Sequence, residues 1–304
     1  MRTCQNRPRV SIGLPVYNGE RFLEATLESI CGQTFGDFQL IISDNASTDG
    51  TESICLRHAA ADKRVRYFRN ASNQGAAYNF NRVFELSSGE YFKWAAHDDV
   101  YAPTYLEECV AGLDQNPSAV LCFPKVRFID ESGRMVDDHG YKARGLSLNP
   151  HERFFEIVLP THIITEIFGL IRAECLKQTP LIAGYASSDR VLLGELALHG
   201  RFVEIPDYLF FHREHAERSA NVFVTLHSYL KWFDPGQADR VVFPTWKLLG
   251  EHLLSISRPP LNGTERLRCY LGMVRWVRSR RRSMISDVRI ALKKTIGGPI
   301  PQQA

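Results

Sequence analysis

The sequence predicts an α/β fold, with a mostly parallel central sheet flanked by helices and a helical appendage at the C-terminal end. Three observations carry this. Up to about Phe123, short apolar runs alternate with segments of helical apolar spacing, the rhythm of βαβ units. The runs are near-continuous rather than alternating, as in parallel strands covered on both faces. After about Thr225 the spacing stays helical, broken only at Asp234-Pro235-Gly236 and Arg258-Pro259-Pro260. The break near residues 220–245 divides an α/β body, residues 1–220, from a helical basic region, residues 221–304.

Taken in order, Arg9–Pro15 reads as a strand, Val16-Tyr17-Asn18-Gly19 as a turn, and Glu20 onward as a helix with Phe22, Leu23, Leu27 and Ile30 on one face. Phe38–Ser43 is a second strand, and the polar loop Asp44–Thr51 opens a helix reaching about Ala61. Strand Val65–Phe68 and Asn73-Gln74-Gly75 lead into a helix ending near Leu86. Strand Tyr91–Trp94, a helix from Pro103 to about Leu113 and strand Ala119–Phe123 complete the first half, about 1–125. The second half, about 126–220, is less regular. Val126–Ile129 and Met135-Val136 flank the turn Asp130-Glu131-Ser132-Gly133. A polar loop over Asp137–Pro150 precedes a short helix, Glu152–Leu159, and a strand, Ile167–Ile171. A helix over Asp189–His199 and two short strands, Phe202–Ile205 and Tyr208–His212, follow.

Composition narrows the function. With 44% hydrophobic and 23% charged residues among 304, collagen-like, disordered and disulfide-scaffold classes are excluded. Seven cysteines lie far apart with no CxxC pair, which fits reduced core thiols in a cytoplasmic protein. No apolar run approaches the roughly 20 residues that span a bilayer. From Arg258 onward eleven Arg or Lys face two acids, so a basic tail follows an acidic body. Such a tail suggests peripheral contact with something anionic, such as the inner face of the cell membrane, against the alternative of a solvated arginine face. Nucleic acid is not expected, because no basic-aromatic recognition motif appears.

The chemistry concentrates at predicted strand ends. Tyr91-Phe92-Lys93-Trp94-Ala95-Ala96-His97-Asp98-Asp99 runs from an apolar strand into two carboxylates. Ligands of open α/β sheets collect at that edge, and Mg²⁺ or Mn²⁺ is commonly shared there between a carboxylate and a substrate phosphate. The alternative is a strand end with Asp99 capping the next helix. Neither GxxxxGK[ST] nor GxGxxG is present, which removes P-loop and dinucleotide enzymes.

The series Val10–Asn18, Asp44–Thr51, Asn73–Asn81 and His97–Asp99 resembles the family 2 glycosyltransferases, over roughly Val10 to Ser219. The resemblance implies the GT-A fold and an inverting transfer of a sugar from a nucleotide donor, UDP- or dTDP-linked, to an acceptor hydroxyl, with a divalent cation (Mn or Mg). It makes residues 1–220 the catalytic domain and envelope polysaccharide or glycolipid synthesis the setting, with a glycan or lipid-linked acceptor. By that resemblance Pro15, Tyr17 and Glu20 meet base and ribose, Asp44 accepts from the base, and Gly75 and Asn79 lie along the donor. Asp98 holds the metal and diphosphate. Asp189 is the catalytic base. His215 joins the metal or a phosphate, and Arg213 neutralises the diphosphate, within a closing segment Phe211–His215 that extends to Ser219. Asp49 is assigned to helix capping.

Two departures stand out: Ala96 replaces the first acid of Asp-x-Asp-Asp, and Ser188 replaces the first acid of the usual catalytic pair. They motivate a catalytically silent nucleotide-sugar-binding protein as the alternative. A sugar nucleotidyltransferase is the enzyme alternative, but Pro15-Val16-Tyr17-Asn18-Gly19 lacks its glycine-rich basic loop.

Overall fold

The computed structural model describes residues 7–136, 141–160, 163–218, 231–235 and 243–295, the last with side chains through residue 292. Eight strands form one sheet: β1 (Val10–Val16), β2 (Phe38–Asp44), β3 (Val65–Arg69), β4 (Tyr91–Trp94), β5 (Val100–Tyr101), β6 (Ala119–Ile129), β7 (Leu170–Arg172) and β8 (Arg201–Arg213). Their spatial order is β3-β2-β1-β4-β7-β6-β8-β5. The β3-β2-β1-β4 half is wholly parallel. In the other half β7 runs antiparallel to both β4 and β6, while β6 and β8 are parallel and β5 closes the edge antiparallel to β8.

Helices cover both faces: α1 (Glu20–Cys31), α2 (Thr51–Ala61), α3 (Ala76–Glu85), α4 (Tyr105–Gln115), α5 (Pro150–Val158), α6 (Ala173–Leu176), α7 (Ser188–His199), α8 (Pro244–Ser257) and α9 (Gly263–Thr295). The two-residue period of β4 sorts its side chains between two cores. Tyr91 and Ala95 join Leu23, Leu27, Leu106 and Val110 of α1 and α4 on one face. Phe92 and Trp94 join Val83, Phe84, Leu192 and Leu196 of α3 and α7 on the other.

The last helices are bound to this body. Ile256, Cys269, Met273 and Trp276 belong to the second core. His252 of α8 packs between Phe154 of α5 and Trp276 of α9, with ring centroids 6.0 and 5.5 Å away. Arg258 Nη1 reaches Glu195 of α7 at 2.7 Å.

Several predicted elements change. The expected strand over Ile167–Ile171 is a 3₁₀ turn, Glu166–Phe168, followed by the shorter β7. Ala119–Phe123 and Val126–Ile129 are one strand, β6, and the two short strands between Phe202 and His212 are one strand, β8. Register shifts beside Pro124 keep β6 paired with β8 despite the missing N–H. The Asp130–Gly133 turn is present, with Met135 bridged back to Ile129. The part of the expected loop at 137–140 and the helical reading over 225–230 and 236–242 lie outside the described residues. All six described cysteines are free.

Candidate active site

The site lies at the C-terminal edge of β1, β2 and β4, where three loops interlock. Asn18, in the left-handed region at φ 51°, donates its N–H to Ser47 Oγ and accepts from the Thr48 N–H. Gly19 N–H donates to Thr51 Oγ1, and Asp49 accepts from the backbone N–H groups of Glu20 and Thr51. Asp49 thus serves backbone donors at the starts of α1 and α2, consistent with the capping assignment. Glu20 accepts from the Gly50 N–H. Pro15 is buried at the end of β1, and Tyr17 beside it is exposed.

Asp44 is fully buried and already occupied. Its Oδ1 accepts the Ser47 N–H at 2.8 Å, and its Oδ2 accepts Tyr67 Oη at 2.7 Å and Arg69 Nη1 at 2.6 Å. With both oxygens engaged and the side chain fully buried, Asp44 is first of all the anchor that holds the Ser47 turn, Tyr67 and Arg69 together. Asn79 is buried rather than set on an open helix face. Its amide accepts from Ser43 Oγ (2.6 Å) and donates to the Ser43 carbonyl (2.8 Å), stapling α3 to the end of β2. This is a positioning role, not the donor contact expected of it.

Gly75, at the start of α3, has φ 87°, and a Cβ there would stand 2.7 Å from the Phe233 carbonyl oxygen. What approaches Gly75 here is therefore the chain's own 233–235 segment. Gly75→Ala is expected to lose about 1–3 kcal/mol of stability. Denaturant titration checks it, and a change within about 0.5 kcal/mol would refute the packing argument.

The turn after β4 is held from three sides. Thr26 Oγ1 of α1 donates to the carbonyls of His97 (2.9 Å) and Asp99 (2.8 Å), and Ser29 and Gln33 on the same face bind residues 101, 102 and 106. Asp99, fully buried, accepts the Arg213 N–H at 3.0 Å and lies 3.0 Å from His212 Nδ1. It ties the turn to β8. The residue before α4 is Thr104, so the helix-cap reading of Asp99 does not hold.

Asp98 and His215 come together. His215 Nε2 lies 2.9 Å from Asp98 Oδ2, and the Asp98 side chain is 16% exposed. Burial opposes ionisation of Asp98, but the imidazoles of His97, His215 and His212 outweigh it and hold the carboxyl well below its usual range. The GT-A family implies a divalent cation, and this donor pair fits one. An ionised carboxylate oxygen and an imidazole nitrogen converge there, two donors of the types such a cation accepts. No cluster of three or more His, Cys, Asp or Glu side chains is found among the described residues.

Arg213 departs from its expected place. Only 5% exposed, it gives Nε to the Asp98 carbonyl at 2.9 Å and Nη1 to the carbonyls of Asp130 and Glu131. It clamps the Asp98 turn from behind. Ser219 lies outside the described residues.

Asp189 opens α7, after Ser187 in the left-handed region at φ 64°. It is half-buried, and its Oδ1 accepts the adjacent Arg190 N–H at 2.8 Å. Burial pushes its carboxyl up. Asn81 of α3 fixes the approach to α7 by exchanging two hydrogen bonds with the Ile182 backbone, at 2.8 and 3.0 Å.

Lys93 escaped the sequence reading. Fully buried in β4, it places Nζ 3.7 Å from the Tyr101 ring centroid and 4.7 Å from that of Tyr105. Burial pushes the ammonium down to about 7, against the pull of Cys109 and Asp99. The flanking tyrosines are the only sequence signal that could have marked it.

This arrangement, a mixed α/β sheet with Asp98 and His215 paired at its edge, has the GT-A fold of the glycosyltransferases. Residues 11–179 match the family described as "Glycosyl transferase family 2", more than half of the chain, and the chain belongs to that family. An uncharacterized glycosyltransferase of Haemophilus influenzae is 26% identical over 225 residues, covering 72% of this chain and 69% of that protein. The putative glycosyltransferase EpsE of Bacillus subtilis is 36% identical over 110 residues, covering 36% of this chain and 40% of EpsE. Among solved structures, S. aureus TarS in complex with UDP-GlcNAc aligns with TM-score 0.65 at 14% identity, covering 94% of this chain and 81% of that one. Mannosyltransferase PcManGT from Pyrobaculum calidifontis, in complex with GDP-Man and Mn²⁺, aligns with TM-score 0.53 at 16% identity, covering 96% and 88%. At these identities the likeness is one of fold.

Proposed function

We propose that the protein is an inverting glycosyltransferase that moves a sugar from a UDP- or dTDP-sugar to a hydroxyl of a glycan or lipid-linked acceptor, in building a cell-envelope polysaccharide. The observation that carries this is the Asp98–His215 pair, 2.9 Å apart beside the interlocked β1 and β2 loops. Asp98 and His215 hold the divalent cation, which when bound supplies positive charge against the donor diphosphate. Tyr17 and Pro15 meet the base, and Asp44 reads the imide N–H common to uracil and thymine by exchanging one of its present donors, Tyr67 or Arg69, for it. Asp189 takes the proton from the acceptor hydroxyl as that oxygen bonds the anomeric carbon on the face opposite the diphosphate. The bond to the diphosphate oxygen breaks with its electron pair, so the configuration inverts. The UDP-GlcNAc complex of TarS supports a UDP-linked donor, and the Mn²⁺ in the PcManGT complex supports the cation.

Calorimetric titration with UDP, dTDP and GDP, each with and without Mn²⁺, tests this reading. UDP or dTDP is expected to bind, and more tightly with Mn²⁺. Folded protein that binds none of the three would end it. Ser188, buried with no hydrogen-bond partner for its Oγ among the described residues and placed where the family usually has an acid, favours a second reading: binding without transfer. Donor hydrolysis that disappears in Asp189→Ala would dismiss that alternative.

A further inference from the structure

Helix α9 carries an uncovered face with a regular chemical pattern. It spans 33 residues, about 50 Å at 1.5 Å per residue. Its inner face, with Cys269, Met273, Trp276 and Met284, is buried on the body. Its outer face shows Leu267, Leu271, Val274, Ile285, Val288 and Leu292, with Leu271 62% exposed. With residues 278 and 281 between them these recur at alternating spacings of four and three, so all lie on one face, a stripe about 100° wide. Arg278 and Arg281 fill the same stripe at its middle, and both are exposed. Beside it run Arg268, Arg275, Arg282 and Arg289, every seventh residue, all exposed. The helix's two acids are engaged elsewhere: Asp287 is buried and accepts the Thr245 N–H, and Glu265 accepts the Asn262 N–H at the helix start. Trp246 of α8, 47% exposed, donates its indole N–H to the Met284 carbonyl and so adjoins the stripe.

A seven-residue apolar pattern invites a second copy of the same helix, but the arginines oppose it. Parallel pairing would set Arg278 on Arg278 and Arg281 on Arg281. Antiparallel pairing about the stripe's centre would set Arg278 on Arg281. Either places like charges at the seam with no carboxylate to offset them. A bilayer removes the conflict, because arginine stems lie along apolar surface while the guanidinium groups reach lipid phosphates. Among the described residues no helix is long and apolar enough to cross a membrane, so the expected mode is lying in the interface. We infer that the outer face of α9 binds an anionic lipid surface, with the apolar stripe in the headgroup boundary and the arginine file on the phosphates. This inference stands apart from the donor chemistry, because it is read without nucleotide.

The test is co-sedimentation of the full chain with phosphatidylcholine vesicles, with and without about 30% phosphatidylglycerol, at low and at about 0.5 M salt. Partition is expected to be about tenfold or more stronger on the anionic vesicles, which corresponds to little more than one arginine's attraction, and to fall at high salt. Leu271→Glu with Ile285→Glu should reduce binding to both vesicle types. Arg275→Glu with Arg282→Glu should reduce only the anionic preference. All four sites are exposed, and unchanged thermal unfolding and UDP titration would show the variants folded. Equal partition on neutral and anionic vesicles, or none on either, overturns the inference. So does a sedimentation-velocity dimer that Leu271→Glu with Ile285→Glu abolishes, which would give the stripe to a second copy.

Discussion

Asp189→Asn is expected to lower turnover by about 10²–10⁴-fold while leaving the affinity for UDP within about twofold, the loss typical of removing a general base. The wild-type rate should fall as pH drops through the Asp189 pKa, because only the ionised carboxylate accepts a proton. Burial raises that pKa, so the acid limb should lie above the ordinary carboxylate value of about 3.9. The stability effect has the opposite sense. A carboxyl raised on folding favours the native state only while protonated, and that contribution is lost as pH rises through the folded pKa. The Asn variant should therefore unfold at the same or a higher temperature than wild type at neutral pH, even as its rate collapses. Parallel losses of rate and stability would show that Asp189 only holds the start of α7.

The second large effect is expected at Asp98. Its replacement by Ala should abolish the Mn²⁺-dependent part of nucleotide binding and lower turnover by about 10³-fold or more, the scale of a Lewis-acid contribution of several kcal/mol. His215→Ala should be milder, about 10–100-fold, a loss of the scale seen when one supporting contact to a metal site is removed. Asp99→Asn tests the layer beneath. It keeps an acceptor for the Arg213 N–H but removes the charge facing His212. Calorimetry with and without Mn²⁺ separates these cases. Equal Mn²⁺ dependence in wild type and Asp98→Ala would move the cation elsewhere.

The parallel half of the sheet was readable because β1 and β2 are buried along their whole length, leaving mostly apolar runs with few polar interruptions. The other half was obscured by proline. Pro124 in β6 and Pro206-Asp207 in β8 interrupt patterns that pairing nonetheless carries through, by register shifts that no local rule predicts. β5, two residues long, offers no period to detect. In the site, Asp98 could be named because two carboxylates follow a predicted strand, whereas His215 and Asp189 were named through the family resemblance. Arg213 and Asn79 could be named but not placed, since their roles depend on partners supplied by the fold. Asn79 reads as an exposed helix amide until β2 supplies Ser43, and Lys93 as part of an apolar strand until Tyr101 and Tyr105 close around it. Thr26 gave no signal, because what it holds lies 71 and 73 residues further on.

The ties from the β4 turn to β8 also set a timetable for synthesis. Asp99 meets His212 across 113 positions, and Asp98 meets His215 across 117. At about 5–20 residues per second, roughly 6–23 s separate translation of the two sides of the pair. A nascent chain can assemble the parallel strands during that interval, yet it has no imidazole opposite Asp98 and no strand to cover Asp99. Until β8 and the two residues after it leave the ribosome, both carboxylates lack the partners that the folded protein gives them.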